Sequence, residues 1–274
     1  MKRLILNADD FGAAPEVNEA VELAHRTGVL RAASLMVGAP AAQDAIDRAR
    51  RLPGLAIGLH VVLVNGRPVL PADRIPDLVD GRGEFLVDLV RAGFRFFLRR
   101  GVRAQLAAEI RAQFERFSAT ALPLDHADAQ SHMHVHPTVF ELILEIGREH
   151  GLRAVRIPRE PFGRTRTIEP WVALMRSRAR RAGLVHNDYA FGVSDAGALT
   201  EARVLQILEK LPDGVTEVFF HPATAPLVGA DKGAERFRWT DELAALTSSR
   251  VRDAIAKNQI ESVTYGELSR FVAS

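Results

Sequence analysis

Short apolar runs alternate with longer amphipathic stretches along most of this 274-residue chain. The short runs have the length of buried strands, whereas the longer stretches repeat their apolar residues with the period of a helix. The predicted strands are 3–8, 32–37, 55–63, 122–129, 153–157, 185–191, 215–220 and 260–264. The predicted helices are about 16–27, 40–51, 104–119, 137–150, 169–182, 200–210 and 241–257.

Strands that alternate with helices predict an α/β fold with a parallel sheet. Seven to eight such units indicate a TIM-like barrel that is closed or nearly closed. Residues 64–103 break the alternation with a loop-like stretch followed by a helical one. We therefore expect a single barrel domain over residues 1–274 with an insertion at 64–103. The alternative is an open doubly wound sheet, but no Gly-x-Gly-x-x-Gly follows any predicted strand, so a dinucleotide site is not expected.

The composition excludes several classes of function. The chain has no cysteine, so it has no disulfide, thiolate metal site or cysteine nucleophile. The apolar run after Met1-Lys2-Arg3 is too short for a signal peptide, and none approaches the roughly 20 residues that span a bilayer. A cytoplasmic location is therefore expected. The formal net charge is only +2, and no basic run interleaves with aromatic residues, so nucleic acid is not an expected partner.

Chemically active side chains follow several predicted strands at the point where each strand ends. They are Asp9 and Asp10, His60, the alternating His132, His134 and His136, Arg156, and His221. In parallel barrels the C-terminal ends of the strands meet at one face, where the active site lies. Carboxylates and imidazoles gathered there predict a mononuclear metal site with a catalytic carboxylate beside it.

Each of these residues also has an ordinary structural interpretation. Neighbours in a strand point to opposite sides, so Asp9 and Asp10 can divide into a base and a metal ligand. The structural alternative is a turn in which Asp10 caps a helix. Arg156 can pair with Asp9 and keep it ionised, or form a purely structural ion pair. A histidine that binds no metal can act as a general acid, and this is the role expected for His221. The structural alternative is a hydrogen-bonded surface residue.

The histidine series leaves the choice of ligand open. In an extended chain His132, His134 and His136 share one face, about 6.5 Å apart at Cα, so only one or two can reach a single ion. His60 lies in an apolar strand, where a hydrogen-bonded core histidine is the alternative to a ligand. Its position at the strand end, two residues after Gly58, favours ligation.

These motifs resemble those of a known family. Asn7-Ala8-Asp9-Asp10-Phe11-Gly12, Gly58-Leu59-His60, the alternating histidines and His221-Pro222-Ala223 resemble the YdjC-like carbohydrate deacetylases, which include chitooligosaccharide deacetylase. The resemblance runs in order from residue 3 to about residue 225. Within the family the chain looks most similar to the hopanoid biosynthesis-associated deacetylases, through Ser34-Leu35-Met36-Val37, residues 122–139 and Arg156-Ile157-Pro158-Arg159-Glu160-Pro161.

The resemblance implies a barrel related to polysaccharide deacetylases, one divalent metal ion, and removal of an N-acetyl group from a glucosamine-type sugar. It also implies that Asp10 and His60 are metal ligands and Asp9 the base. The chain departs from the family at the third ligand, where Gln130 stands in place of a histidine. We expect His132 to replace it, with His134 as second choice. Otherwise the site is weakened, since an amide oxygen is a poorer ligand for transition metals.

The expected reaction is metal-assisted amide hydrolysis. Asp10, His60 and His132 hold Zn²⁺ or Mg²⁺, Asp9 takes the proton of water, Arg156 supports Asp9, and His221 protonates the leaving amine. The expected substrate is an N-acetylglucosaminyl lipid of hopanoid biosynthesis. Two alternatives stay open: a metallohydrolase for another amide or ester, and a non-catalytic sugar- or lipid-binding relative, for which Gln130 is the hint.

The basic helix predicted near residues 91–103 bears on location. Arg91, Arg95, Arg99 and Arg103 recur every four residues, with Phe94, Phe97 and Leu98 on another face. A basic amphipathic helix of this kind can rest on anionic lipid, which would place the protein at the periphery of a membrane. Packing of the helix on the barrel is the equally weighted alternative. The sequence does not specify an oligomeric state.

Overall fold

The centre of the fold is a parallel sheet of seven strands. The computed structural model describes residues 1–98, 100–161, 168–227 and 234–272. Within these ranges the strands are Lys2–Phe11 (β1), Ala32–Leu35 (β2), Ala56–Val61 (β3), Leu124–Ala129 (β4), Tyr189–Phe191 (β5), Gly214–Phe220 (β6) and Glu261–Ser262 (β7). The order across the sheet is β4-β3-β2-β1-β6-β5, and β7 pairs with the beginning of β1.

The sheet comes close to closing on itself. Single parallel bridges join Ala127 of β4 to Val155, and Ala154 to Val185, just before β5. Residues 153–157 therefore stand between the two edges of the sheet and connect them by hydrogen bonds. All strand pairs are parallel, so their C-terminal ends lie on one side of the barrel. This is the side on which barrel enzymes carry their active sites.

Helices cover the outside of the sheet. In the described ranges they are Pro15–Thr27 (α1), Ala42–Arg50 (α2), Leu89–Leu98 (α3), Arg100–Ser118 (α4), Pro137–Glu149 (α5), Glu169–Arg181 (α6), Glu201–Glu209 (α7), Trp239–Thr247 (α8), Ser249–Lys257 (α9) and Tyr265–Val272 (α10). Their inner faces are apolar: α5, for example, buries Val139, Phe140, Leu142, Ile143 and Ile146. None of the described helices is both long enough and apolar enough to cross a membrane.

The predicted α/β barrel class is confirmed, and the differences are local. Residues 153–157 form bridges rather than a full strand, because only one residue on each side pairs. The predicted helix 241–257 is two helices, since Ser248 leaves the helical conformation. Its side-chain hydroxyl accepts the backbone N–H of Val251 and so caps the start of α9. Helix α10 was not predicted. Helix α3 lies in the second half of residues 64–103.

Gly58 in β3 shows how tightly the strands pack inside the barrel. A Cβ atom added there would lie 2.4 Å from Cε1 of the His126 ring, and within 2.6 Å of both ring nitrogens. His126 is fully buried on the neighbouring strand β4. Glycine at position 58 therefore provides the space for this ring.

We expect Gly58→Ala to destabilise the protein by about 1–3 kcal/mol, because the new methyl group displaces the buried ring of His126. Gly93→Ala is the matched control, since nothing lies within 4 Å of a Cβ at that helical position. The control should be neutral or more stable by up to about 1 kcal/mol. Urea unfolding checks both changes, and equal stability of the two variants would contradict the packing described.

Candidate metal and catalytic site

A fully buried arginine lies at the centre of the site. Arg156 follows the bridge at Val155 and is 0% exposed. Its guanidinium donates to both oxygens of Asp9 over 2.7 Å and to both oxygens of Glu217 over 2.8 and 2.9 Å. Its Nη1 also lies 2.7 Å from Oδ2 of Asp128. One cation therefore holds three carboxylates from three different strands.

This contact fixes the charge of the acids around it. Burial alone would raise the pKa of Asp9, but the guanidinium of Arg156 holds that pKa below its ordinary value. Burial would also raise the pKa of Asp128, but the charges of Arg156 and, next, of His60 hold that pKa well below its usual range. Burial lowers the pKa of Arg156, but the carboxylates of Asp128 and Asp9 raise it by more, so that it lies well above its ordinary value. The three groups are therefore ionised at neutral pH.

His60 connects this buried centre to the barrel opening. Its Nδ1 lies 2.7 Å from Oδ1 of Asp128, and its Nε2 lies 3.4 Å from Oδ1 of Asp10. Asp128 is itself held by the hydroxyl of Ser34, which donates to Oδ2 over 3.0 Å. Burial lowers the pKa of His60, but the carboxylate of Asp128 raises it to about 10 overall. A carboxylate on one ring nitrogen orients the other, as it does in many metal-ligating histidines.

Asp10 is turned out of the regular strand. Its φ is 62°, and the register of β1 against β2 shifts between Ala8 and Phe11. An aspartate tolerates this left-handed conformation better than most residues, and such irregularities often redirect a side chain at a functional site. As a result, the side chain of Asp10 is 29% exposed, while Asp9 next to it is 2% exposed.

A cavity of about 320 Å³ opens beside Asp10. Its polar wall includes Asp10, Asn65, Arg67 and Gln130. Most of the remaining wall is apolar, formed by Ala13, Ala14, Met36, Ala39, Pro40, Val62, Leu227, Ala234, Phe237 and Trp239. Gln130 donates through its side-chain amide to the backbone oxygen of Asn65 over 3.2 Å. The site thus combines one partly exposed carboxylate with a mainly apolar cleft.

The histidine series does not adopt the predicted extended form. Residues Gln130–Val135 form a 3-10 helical segment in which Ser131 and His132 have φ of 50° and 53°. The prediction of three rings on one strand face is therefore wrong, because the chain turns directly after β4. His136 instead caps α5, where its ring accepts a hydrogen bond from the backbone N–H of Thr138.

Two imidazoles of this turn have buried ring nitrogens that lack a hydrogen-bond partner in the described part of the chain. His132 has one such atom, Nδ1, and His134 has both. The ring centroids lie 5.8 Å apart, and the ring of His132 is 5.2 Å from that of Phe219. Burial lowers the pKa of His132 to about 4 and that of His134 to about 3. Both rings are therefore neutral at pH 7, which is the form that binds metals.

His221 lies just after β6 and packs between two aromatic rings. Its ring centroid is 4.8 Å from that of Phe237, which lines the cavity, and 6.1 Å from that of Phe219. Its backbone N–H donates over 2.5 Å to Glu242, a fully buried residue of α8. Glu242 also accepts the N–H of Leu199 over 2.9 Å. One carboxylate thus ties the end of β6 to the loop before α7.

The residues described contain one group of three that could hold a metal ion. One ligand atom each of Asp9, His60 and Asp128 lies within 4.8 Å of the others. However, Asp9 and Asp128 already share the guanidinium of Arg156, and His60 directs Nε2 towards Asp10. His132 is not in this group. The donors are carboxylates and imidazole, which fit a divalent ion such as Zn²⁺ better than they fit an organic cofactor.

The structure therefore places most of the predicted site residues near one another. Asp10 lines the cavity and lies 3.4 Å from the buried His60, and Arg156 holds Asp9. The sequence analysis missed Asp128, Glu217 and Glu242. A signal existed for Glu217, since a glutamate within an apolar strand and two residues before Phe219 shares that residue's face. Glu242 lies in a helix without any distinguishing pattern.

Comparison of the sequence with known proteins gives consistent matches to one family. The sequence profile of the YdjC-like protein family matches residues 3–257. Carbohydrate deacetylase of Brevibacillus brevis is 34% identical over 97% of this chain and 99% of its own length. Carbohydrate deacetylase of Mus musculus is 32% identical over 97% of this chain and 94% of its own.

Solved structures with a similar fold are also found. An Enterococcus faecalis protein with a provisional assignment to cellobiose-phosphate cleavage superposes with a TM-score of 0.80 at 25% identity, covering 97% of this chain and 98% of its own. A lactam utilization protein from Thermus thermophilus, at 15% identity, has a TM-score of 0.51 over 95% of this chain and 98% of its own, and shares the fold alone.

Fold and site together define a parallel α/β barrel protein with a candidate metal site at the C-terminal ends of its strands. The family profile matches most of this chain, and the matches to the two curated relatives cover nearly the whole length of those proteins. The chain belongs to the YdjC-like family.

The buried arginine makes a testable prediction about pH. Because the folded-state pKa of Asp9 and of Asp128 is lowered, their contribution to stability is present above about pH 4 and is lost as pH falls through the folded values. In Arg156→Met the carboxylates lose their cation, which should cost about 3–5 kcal/mol at pH 7. That variant should recover stability as pH falls from 7 to 5. Urea midpoints at both values check this, and a uniform loss at both would contradict it.

We also expect Glu242→Gln to disturb the end of β6, because the amide offers only one acceptor oxygen to two backbone N–H groups. The loss should be about 1–3 kcal/mol. Asp241→Asn is the control: Asp241 lies on the same helix but pairs with Arg238 at the surface. Hydrogen exchange at the N–H of Leu199 and His221 should accelerate only in Glu242→Gln. Unchanged exchange there would exclude the linking role.

Proposed function

We propose that the protein is a metal-dependent deacetylase that hydrolyses the N-acetyl group of a glucosamine-type sugar. The observation that carries this proposal is the contact between Asp10, which lines the cavity, and Nε2 of the buried His60, 3.4 Å away, backed by the ionised Asp9 and Arg156. The names of the curated relatives support a carbohydrate substrate.

Asp10, His60 and His132 would hold the metal ion. Burial of the unpartnered Nδ1 of His132 supports its inclusion, since a buried imidazole nitrogen without a partner is costly. Gln130, which shares the cavity wall with Asp10, is the alternative third ligand. When bound, the ion would polarise the acetyl carbonyl and lower the pKa of water.

The protein's own groups would carry the proton transfers. Arg156 keeps Asp9 anionic and oriented, so this carboxylate can accept a proton from the attacking water. The same contact lowers the pKa of Asp9 and makes it a weak base. His221, held at its backbone by Glu242, would donate the proton that the leaving nitrogen needs. The ring of His221 lies 4.8 Å from that of Phe237, which lines the cavity.

The cavity also supports a narrower substrate. A free oligosaccharide offers mainly hydroxyl groups, whereas this cleft is lined mostly by Met36, Leu227, Phe237, Trp239 and smaller apolar residues. An amino sugar attached to an apolar body suits such a wall better. We therefore propose a lipid-linked N-acetylglucosamine, of the kind that hopanoid biosynthesis supplies, as the substrate.

The test of function is acetate release from N-acetylated chitooligosaccharides and from a lipid-linked N-acetylglucosamine, with added Zn²⁺ or Mg²⁺. Wild type should release acetate, and the lipid-linked substrate should have the lower KM. Asp9→Asn should reduce kcat by about 10²–10⁴, while surface Asp241→Asn should not. Release of another product from an ester or a phosphoester would favour the other metallohydrolases. No product at any metal concentration would favour a binding protein.

The third ligand can be tested by calorimetry without activity. We expect His132→Ala to weaken Zn²⁺ binding by about 10–100-fold or more, because one imidazole is lost. Gln130→Ala is the matched comparison from the same turn and should retain affinity within a few fold. The reverse pattern would assign the position to Gln130 and refute the role of His132.

A further inference from the structure

Apolar side chains are exposed around the start of α3. In the described part of the chain seven large hydrophobic residues are exposed, and three of them lie within eight residues. They are Val87, Leu89 and Phe94, exposed by 52%, 41% and 64%. Single exposed hydrophobics are common on protein surfaces, but a local group of them points to an interaction.

The other side of α3 is anchored in the core. Ala92 and Phe96 are 0% and 3% exposed, and the ring of Phe96 meets that of His136 edge-on at 5.8 Å. The exposure of Phe94 therefore is not the result of a loose helix. The sequence analysis placed Phe94 on a face apart from the arginines. Instead, Phe94 and Arg91, three residues apart, are both exposed, as neighbours on one helix face are.

Basic residues outnumber acidic ones in the sequence around this apolar group. Residues 87–108 contain Arg91, Arg95, Arg99, Arg100 and Arg103, and a single acidic residue, Asp88, which accepts the backbone N–H of Arg91. Arg99 itself lies outside the described residues, and the side chain of Arg100 is not described. Arg95 donates to the backbone oxygen of Asp77, whereas Arg91 is exposed. Basic residues beside protruding apolar ones are the pattern of surfaces that bind anionic lipid.

The exposed group is also connected to the cavity. The N–H of Phe85 donates to the oxygen of Gly66 over 2.9 Å, and the N–H of Asn65 donates to the oxygen of Leu86 over 3.3 Å. Both Asn65 and Gly66 line the cavity. The segment just before Val87 and α3 is thus hydrogen-bonded to the wall of the cavity.

We propose that Val87, Leu89, Arg91 and Phe94, here called the α3 surface, dock the protein reversibly on an anionic lipid bilayer. The apolar side chains enter the boundary between headgroups and acyl chains, and Arg91 contacts lipid phosphates. Docking would bring the cavity rim to the bilayer, so a lipid-linked sugar could reach Asp10 without leaving the membrane. This use of the surface rests on the proposed deacetylase function, although lipid binding itself does not.

The experiment is co-sedimentation of the full chain with vesicles. One set contains equal parts of phosphatidylglycerol and phosphatidylcholine, and the other contains phosphatidylcholine alone. Wild type should bind the anionic vesicles and be released by salt. The double variant Phe94→Ser with Arg91→Ala should bind at least about tenfold more weakly. The control, Leu174→Ser with Arg26→Ala, changes an exposed apolar and an exposed basic residue on other helices and should bind as wild type does.

Each outcome decides the proposal. Equal binding by both double variants, or no binding of anionic vesicles by wild type, would overturn it. Equal binding to both vesicle types would overturn the role of charge. Acetate release from free chitooligosaccharide should be the same in Phe94→Ser with Arg91→Ala as in wild type. A chain that binds anionic vesicles through the α3 surface but releases no acetate would refute the deacetylase function while leaving docking intact.

Discussion

The burial of one guanidinium against three carboxylates is the constraint on which the site depends. Taking Arg156, Asp9, Asp128 and Glu217 out of water costs several kcal/mol per ion, and their mutual contacts offset that cost together with those of Ser34 and His60 to Asp128. Each acid comes from a different strand of the sheet. The arrangement therefore holds only when β1, β4 and β6 are in register with residues 153–157. The charges of the site are therefore paired only when the strands of the barrel are correctly aligned.

The buried centre orients the side chains that lie between it and the solvent. Asp128 is fixed by Arg156 and by Ser34, and in turn fixes the ring of His60. His60 then presents its second nitrogen to Asp10, which the irregularity in β1 has turned into the cavity. A buried ionic centre can therefore set the orientation of His60 and, through it, the position of the partly exposed Asp10. This is how a rigid scaffold supports a metal site whose ligands face a substrate.

Sequence patterns sufficed for the barrel class and for Asp9, Asp10, His60 and Arg156, because apolar strands end there in carboxylates and bases. They failed at the histidine turn, since alternation implies an extended chain and the left-handed conformation of His132 has no local signal. They also missed Asp128 and Glu242. The roles of these acids come from contacts across the fold, such as the 2.5 Å bond from the N–H of His221 to Glu242, which no local pattern encodes.

The most direct test of a metal-dependent site is elemental analysis of the purified chain after remetallation and mild dialysis. The account predicts about one divalent ion per chain, lost when His60 is replaced by alanine and retained when His150 is replaced by alanine. His150 is the suitable comparison because it lies at the end of α5, where its ring contacts Ser118 of α4 and none of the site residues. A wild-type chain without bound ion, or an ion retained in the His60 variant, would contradict the account.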